Sequence, residues 1–346
     1  MKSGNRIWAA CAAIVLIWQA TAFADMQWGG IVKPERDSRL RLTAGVLFEF
    51  EGKVAETQRK LYSVIGREVD QRDAESYNLD DFDLNDVFGM IGLSYDVAWR
   101  WFRLQVDTSF MMPSASTTAQ RDYYLTINDD IPYNGGSYDH LMIPEGSPFS
   151  ADLFGNLTEL TMMFVPVGFQ VGDWLTINPS LDLGVLLFGG FYEIDAGESI
   201  GVKTYQNPPE DFVIGGKADG FAGIGVPQWG VGVDMQFGRP GGVNFDLQAH
   251  YLFSNYDGST AYFTSSSHRE KNLDFDHSNI RIRGEVEFPV GRRTMIAGLQ
   301  VQMIDTQGTL ESKETDPAKI IENRERFDKE FGLKVHSVLA TVGFAF

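Results

Sequence analysis

Aspartates gather in several polar segments of this sequence, and carboxylates are the side chains that bind hard cations. Four of them lie between positions 80 and 86, Asp129 and Asp130 are adjacent, and Asp274, Asp276 and His277 form a third group. Calcium takes oxygen ligands of this kind, but none of the three groups has the spacing of an EF-hand loop. We therefore expect solvated acidic loops, without a metal ion or another cofactor.

The histidines, serines and cysteine suggest little nucleophilic chemistry. The only cysteine, Cys11, lies in the N-terminal apolar run, so the rest of the chain has no thiol nucleophile. His268 directly follows three serines, but neighbours in sequence do not form a catalytic triad. His250 lies in an alternating segment, where a hydrogen-bonded interior histidine is the expected role.

Alternation of apolar and polar residues with a period of two is the strongest structural signal. From Phe102 to Phe110 the even positions are apolar or small, and Arg103, Gln105 and Asp107 lie between them. This pattern is typical of strands with one apolar and one polar face. Segments of this kind occur at 39–51, 86–96, 99–111, 158–171, 174–190, 217–237, 242–254, 277–289, 293–306 and 331–346. Pro166 and Pro179 are expected to mark bulges or interruptions, because proline cannot donate to a ladder.

The connections between these ten segments alternate between short and long. Short turns follow every second segment, and long polar stretches occur at 52–85, 112–157, 191–216, 255–276 and 307–330. An even number of strands with short periplasmic turns and long extracellular loops is typical of outer-membrane barrels. The pattern predicts an all-β, transmembrane, up-and-down antiparallel β-barrel of about ten strands. Residues 123–127 could add a hairpin strand beyond the membrane.

The N-terminus has the pattern of a secretory signal peptide. Lys2 and Arg6 precede an apolar run that ends near Trp18, and Ala22-Phe23-Ala24 resembles a cleavage site. We therefore predict a signal peptide at 1–24, an N-terminal periplasmic segment at 25–38 and the barrel at 39–346.

Composition excludes other classes of protein. The 346 residues are 43% hydrophobic and 13% aromatic, which is ample for a folded core. No apolar run outside the N-terminus is long enough for a membrane-spanning helix. A formal net charge of -18 argues against a nucleic-acid partner.

The C-terminus resembles a known signature of bacterial outer-membrane barrels. Apolar residues occupy every second position up to the last residue, at Val338, Ala340, Val342, Phe344 and Phe346. In that class a terminal phenylalanine after alternating apolar residues is recognised by the barrel-assembly machinery. The resemblance implies a bacterial outer-membrane location and contact with outer-membrane lipids, including lipopolysaccharide.

Strand parity assigns a set of charged residues to the barrel interior. Ten strands enclose a narrow space, and barrels of about eight strands are filled by side chains. Unpaired charges in such a space are costly, so we expect an ion-pair network that plugs the lumen. A narrow ion pathway is the alternative. The predicted network consists of Arg39, Arg41, Glu49, Arg103, Asp107, Asp182, Asp234, Asp246, His250, Arg281, Arg283, Glu285 and Glu287.

The chain also resembles the omptin proteases in strand number, loop parity and length. In omptins an Asp pair in the second loop and an Asp-x-His pair in the fourth activate a water. The corresponding residues here would be Asp129 and Asp130 opposite Asp276 and His277. The first two are adjacent and Asp276 directly precedes the histidine, so neither pair keeps the family's spacing. We therefore expect a non-catalytic, monomeric barrel with a structural or ligand-binding role; an altered omptin-like protease and a narrow channel are the alternatives.

Overall fold

The computed structural model describes residues 25–28, 31, 38–57, 59–62, 68–72, 75–78, 87–120, 123–133, 136–143, 145–202, 211–239, 242–264, 267–291, 293–312 and 328–346. The predicted signal peptide lies outside these residues. Within them no helix is long and apolar enough to span a membrane. The strands are β1 (Asp25–Trp28), β2 (Ser38–Thr57), β3 (Arg59–Tyr62), β4 (Glu68–Arg72), β5 (Glu75–Asn78), β6 (Phe88–Ala98), β7 (Phe102–Met111), β8 (Ser114–Thr118), β9 (Tyr123–Tyr133), β10 (Gly136–Ile143), β11 (Pro148–Phe164), β12 (Val167–Val171), β13 (Leu175–Val202), β14 (Asp211–Phe237), β15 (Asn244–Thr264), β16 (Ser267–Val290), β17 (Arg293–Ser312) and β18 (Asp328–Ala345).

Ten antiparallel strands form the wall of a closed barrel. Their order around the wall is β2, β6, β7, β11, β13, β14, β15, β16, β17 and β18. β18 closes the barrel by pairing with β2, from Asp328 opposite Thr57 to Ala345 opposite Arg39. The terminal Phe346 adds a backbone hydrogen bond of 3.0 Å to the Ser38 carbonyl. The all-β class and the closed ten-stranded antiparallel barrel predicted from the sequence are confirmed.

The two prolines expected to disturb strands behave differently. Pro166 separates β11 from β12, and both strands lie along β13, with Phe164 opposite Leu181. Pro179 stays inside β13, opposite Val233. Only the first proline interrupts its strand, so β11 and β12 act as one wall strand with a break.

The segment before the barrel adds a short strand at the end with short turns, which we name the turn side. β1 pairs with β12, beyond the first residue of β7, Phe102, which lies opposite Phe164. The Ile31 amide donates to the Arg100 carbonyl at 2.8 Å, and its side chain packs with Ala98 and Val165. This segment therefore covers an edge of β12 that the wall leaves unpaired.

Side chains of the wall alternate between two unlike faces. The outer face exposes apolar residues, among them Leu42, Leu183 and Val342, whereas the inner face buries charged residues such as Arg41 and Arg281. An apolar outer face and a polar interior are typical of barrels that span a membrane. Four tryptophans are exposed: Trp99, Trp101 and Trp174 at the short turns, and Trp229 inside β14.

Tight turns at one end and long hairpins at the other distinguish the two ends of the barrel. Gly172 and Gly291, in two short turns, have φ angles of 57° and 63°, which favour glycine. At the opposite end, which we name the loop side, β13 and β14 stay paired as far as Val202 opposite Asp211. The stretches predicted as loops at 191–216 and 255–276 are thus largely strand extensions in their described residues. The hairpin strand expected at 123–127 is present as β9.

Candidate functional site

The interior of the barrel is the candidate functional site, because charged side chains converge there from eight of the ten wall strands, all but β17 and β18 among the described residues. Arg41, on β2, is completely buried at the centre of this group. Its Nε and Nη2 donate to the two oxygens of Glu285 at 2.6 and 2.9 Å, and its Nη1 donates to Asp96 at 2.5 Å. One guanidinium thus links β2, β6 and β16 across the lumen.

Two further arginines form ion pairs nearer the turn side. Arg39 pairs with Asp246 and, at 2.8 Å, with Glu287. Arg103 pairs with Asp234. Each arginine reaches a carboxylate on a strand that is not its neighbour in the wall, so these pairs cross the lumen rather than follow its surface.

Arg281 and Arg283 share acceptors in the middle of the lumen. Asp107 accepts from both, at 3.0 Å from Arg281 and 2.9 Å from Arg283. Arg281 also pairs with Glu159 at 3.2 Å, while Arg283 Nε donates to Gln300 at 2.8 Å. The side chains are almost completely buried, so these contacts take the place of water around both guanidiniums.

The pair of His250 and Asp182 spans an intervening strand. His250 Nδ1 lies 2.8 Å from Asp182 Oδ2, and Ser180 donates to the other oxygen at 2.6 Å. Between β13 and β15, Gly232 of β14 leaves the space: a Cβ there would lie 2.2 Å from His250 Nδ1. A glycine at this position is therefore a condition for the hydrogen bond.

An apolar layer closes the lumen on the loop side of the charged residues. Along β2, the inward residues change from Arg39 and Arg41 to Leu47 and Phe50. Phe50 and Phe188 contact each other with ring centroids 6.3 Å apart. The buried side chains of this layer are at most 8% exposed, so they fill the interior at this level. They are Leu47, Phe50, Met90, Met111, Leu157, Leu186, Val226, Phe275, Ile304, Leu333, Val335 and Leu339.

His277 lies at the boundary between the two layers and has both ring nitrogens occupied. Nε2 lies 3.0 Å from Gln228 Oε1, which can only accept, so this nitrogen donates. Nδ1 then accepts from the Thr306 hydroxyl at 2.7 Å. A buried neutral histidine in these bonds has no free nitrogen to accept a proton from water.

The protease arrangement is not assembled around His277. Asp276 is exposed on the outer face and accepts a hydrogen bond from Asn255, whereas His277 is buried inside, because consecutive strand residues point to opposite faces. Asp129 and Asp130 lie on β9, and their side chains are outside the described set. The described residues also hold no group of three or more His, Cys, Asp or Glu side chains suited to a metal ion.

Glu49, expected in the lumen, faces outward instead. A bulge in the pairing of β18 with β2, between His336 and Ser337, shifts the parity of β2 at this point. Glu49 pairs with Lys334 and, at 2.5 Å, with His336, which share the outward face of Val342 and Phe344.

Some interior residues were missed by the sequence pattern. Asp96 is the last residue of the predicted segment 86–96, whereas β6 continues to Ala98, and Glu159 lies in a strand whose other inward positions are mostly apolar or small. Gly197 to Gly201 matches the letters of the nucleophile-elbow pattern around Ser199. The structure runs β13 through it, without the strand-to-helix turn that an elbow requires.

Charges in the described lumen do not balance. Five arginines face eight carboxylates, and His250, which pairs with Asp182, is a further basic side chain in this group. The acidic members are Asp96, Asp107, Glu159, Asp182, Asp234, Asp246, Glu285 and Glu287. The interior is thus electronegative as well as closed.

No family model and no curated protein matches this chain. Among solved structures, the outer membrane protease OmpT from Escherichia coli is similar at a TM-score of 0.36 and 11% identity, over 89% of this chain and 96% of that one. The β domain of the Bordetella autotransporter BrkA gives a TM-score of 0.26 and 9% identity, over 90% and 100% of the two chains. A mutant of the TodX monoaromatic hydrocarbon channel gives 0.19 and 8%, over 90% and 91%. Likenesses at these TM-scores carry no inference about what this chain does.

Proposed function

We propose that this chain is an outer-membrane β-barrel of a bacterium with two membranes, with its turn side in the periplasm. The exposed apolar outer face, the exposed tryptophans Trp99, Trp101 and Trp174 at the turn side and the short turns there support this location. Its partners would be outer-membrane lipids, including lipopolysaccharide. The outward residues at the end of β18 would contact the barrel-assembly machinery: Val338, Ala340, Val342, Phe344 and Phe346. We further propose a monomer without a nucleic-acid partner.

We infer that the barrel is non-catalytic and non-conducting, and that it acts through its loop-side extensions as a structural or ligand-binding surface. The observation that carries this is the closure of the lumen by two stacked layers, one of crossed ion pairs and one of apolar side chains. A pore needs a continuous wet path, and the apolar layer interrupts it. A hydrolase needs an accessible base, and His277 is buried with both nitrogens bonded.

Single-channel recording in planar bilayers tests closure directly. The refolded barrel, verified by its heat-modifiable migration in gels, should give no conductance steps above the lipid baseline. A matched variant, Phe50→Ala with Leu186→Ala, removes bulk from the apolar layer. Conductance steps from this variant would show that the barrel inserts into the bilayer, so it serves as the control for insertion. Stable steps from the wild-type barrel would overturn the proposal.

A narrow channel is the second candidate, because the excess of carboxylates in the lumen is a feature that a cation pathway would use. If conductance is found, it should be selective for cations over chloride, and Asp234→Asn should reduce the selectivity. Anion selectivity would contradict this interpretation of the lumen.

An altered omptin-like protease receives no support from the positions of Asp276 and His277, and a cleavage assay tests it. The barrel, refolded with lipopolysaccharide, should leave a mixture of cationic and neutral peptides intact by mass spectrometry. Cleavage that disappears in His277→Ala would establish the protease instead.

A further inference from the structure

A groove interrupts the apolar outer face where β11, β13 and β14 run side by side. It has a volume of about 370 Å³. Gly189 lies opposite Asn156 of β11, and Gly225 of β14 lies opposite Leu187. Because these glycines have no side chains, the wall is thin here and forms the floor of the groove.

Apolar side chains form the two banks of the groove. Phe154 and Phe191 lie directly opposite each other on the loop side, and Phe191 is 63% exposed. Leu187 forms the other bank and is 47% exposed. The next outward residues toward the loop side are Asp152 and Glu193, so the groove lies at the loop-side end of the apolar face. A molecule in the groove would therefore be part of the lipid layer on that side.

The polar atoms on the floor bind each other. The Asn156 amide donates to Thr108 Oγ1 at 3.1 Å and to the Ser109 carbonyl at 3.3 Å. Its oxygen accepts from Thr158 at 2.9 Å. Because these polar atoms bond to one another and to the backbone, the groove needs no polar ligand and its open surface is suited to hydrocarbon.

We propose that this groove holds one acyl chain of an outer-leaflet lipid as a specific, retained ligand. The inference rests on the proposed membrane location and adds a defined lipid site to it. Small residues let a neighbour approach the backbone closely in a membrane, where association depends on van der Waals packing. An acyl chain lying along the glycines gains contact with the backbone and with Phe154, Phe191 and Leu187, whereas a chain on the smooth wall contacts side-chain tips only.

Two glycine variants separate the groove from the rest of the outer face. A Cβ at Gly225 would meet only Leu187 Cδ2, at 3.3 Å, so Gly225→Leu fills the groove without a clash with the backbone. Gly89, exposed on the outer face of β6, has no atom within 4 Å of such a Cβ. Gly89→Leu is therefore the matched control, since it adds the same side chain to the same face outside the groove.

The test uses the full mature barrel in vesicles of phosphatidylethanolamine that carries a photoreactive group on one acyl chain. After irradiation, mass spectrometry maps the adducts on the protein. We expect adducts to concentrate at 154 and 187–191 over Leu181 and Leu183, which are at least as exposed as Leu187. This enrichment should be lost in Gly225→Leu and kept in Gly89→Leu.

The outcomes distinguish the site from the membrane location. Equal adducts at the groove and at Leu181 and Leu183 would overturn the lipid site while leaving the membrane barrel in place. Absence of adducts from the whole outer face would overturn the proposed location. Enrichment that survives in Gly225→Leu would also contradict the proposal, because the groove would then be filled by a side chain.

Discussion

Removal of the Arg41 guanidinium should destabilise the barrel more than a substitution of similar size at its outer face. Arg41→Met keeps the length of the side chain but deletes the guanidinium that bridges Asp96 and Glu285. Both carboxylates are at most 2% exposed, so water cannot replace the lost partner. They would remain as uncompensated charges inside the lumen.

The magnitude follows from the cost of breaking a buried ion pair. Loss of one partner of such a pair destabilises a protein by about 3–5 kcal/mol. Arg41 binds two carboxylates, one of them through two hydrogen bonds. The decrease in the free energy of unfolding should therefore be near the upper end of that range. Neutralising the acids in the triple variant Arg41→Met, Asp96→Asn, Glu285→Gln should recover most of the loss, because no buried charge is then left unpaired.

Unfolding by urea in lipid vesicles, followed by tryptophan fluorescence and by heat-modifiable gel migration, measures these differences. The matched comparison is Leu42→Met, on the outer face of the same strand, which should change the free energy little. A loss below about 1 kcal/mol for Arg41→Met would match an exposed pair and refute the argument. A triple variant no more stable than the single one would show that the deficit comes from packing rather than charge.

Two further outcomes are expected. Gly230→Val should prevent assembly, since its Cβ would lie 1.9 Å from the Tyr251 carbonyl oxygen, and no heat-modifiable species should form on refolding. Deletion of Phe346 should reduce outer-membrane assembly in cells, scored by membrane fractionation, and unchanged assembly would contradict its proposed role as a signal.

Much of the fold could be predicted, because the alternation of apolar and polar residues identifies the strands and the lengths of the connections indicate how the strands are joined. In a barrel each wall strand has one face to the interior, so Arg281, Arg283, Glu285 and Glu287 could be assigned to one face from their spacing alone. Connection lengths then ordered the strands. The number of strands followed without any contact information, because neighbouring segments in the chain are neighbours in the wall.

Parity could not locate the bulge that turns Glu49 outward. An extra residue in one strand reverses the faces beyond it, and the only sign in the sequence is a run of three consecutive apolar residues, Val46, Leu47 and Phe48. Only the pairing with β18 shows where the extra residue is inserted. The same limit hid Asp96, since the end of a strand depends on its partner rather than on its own residues.

The apolar layer was also not predicted from the sequence, for a different reason, and it is the missed feature most relevant to function. Parity predicts which residues point inward but not how far along the axis each lies, because the tilt and stagger of strands set that height. Phe275 and Ile304 point inward but are as apolar as outward residues, so the polar–apolar alternation is lost along these parts of their strands although the strands continue. Once the strands are in register, inward apolar residues from different strands meet at one level and close the lumen. A barrel with only crossed ion pairs could still pass ions by rearranging side chains, whereas the apolar layer removes the water that such ions would need.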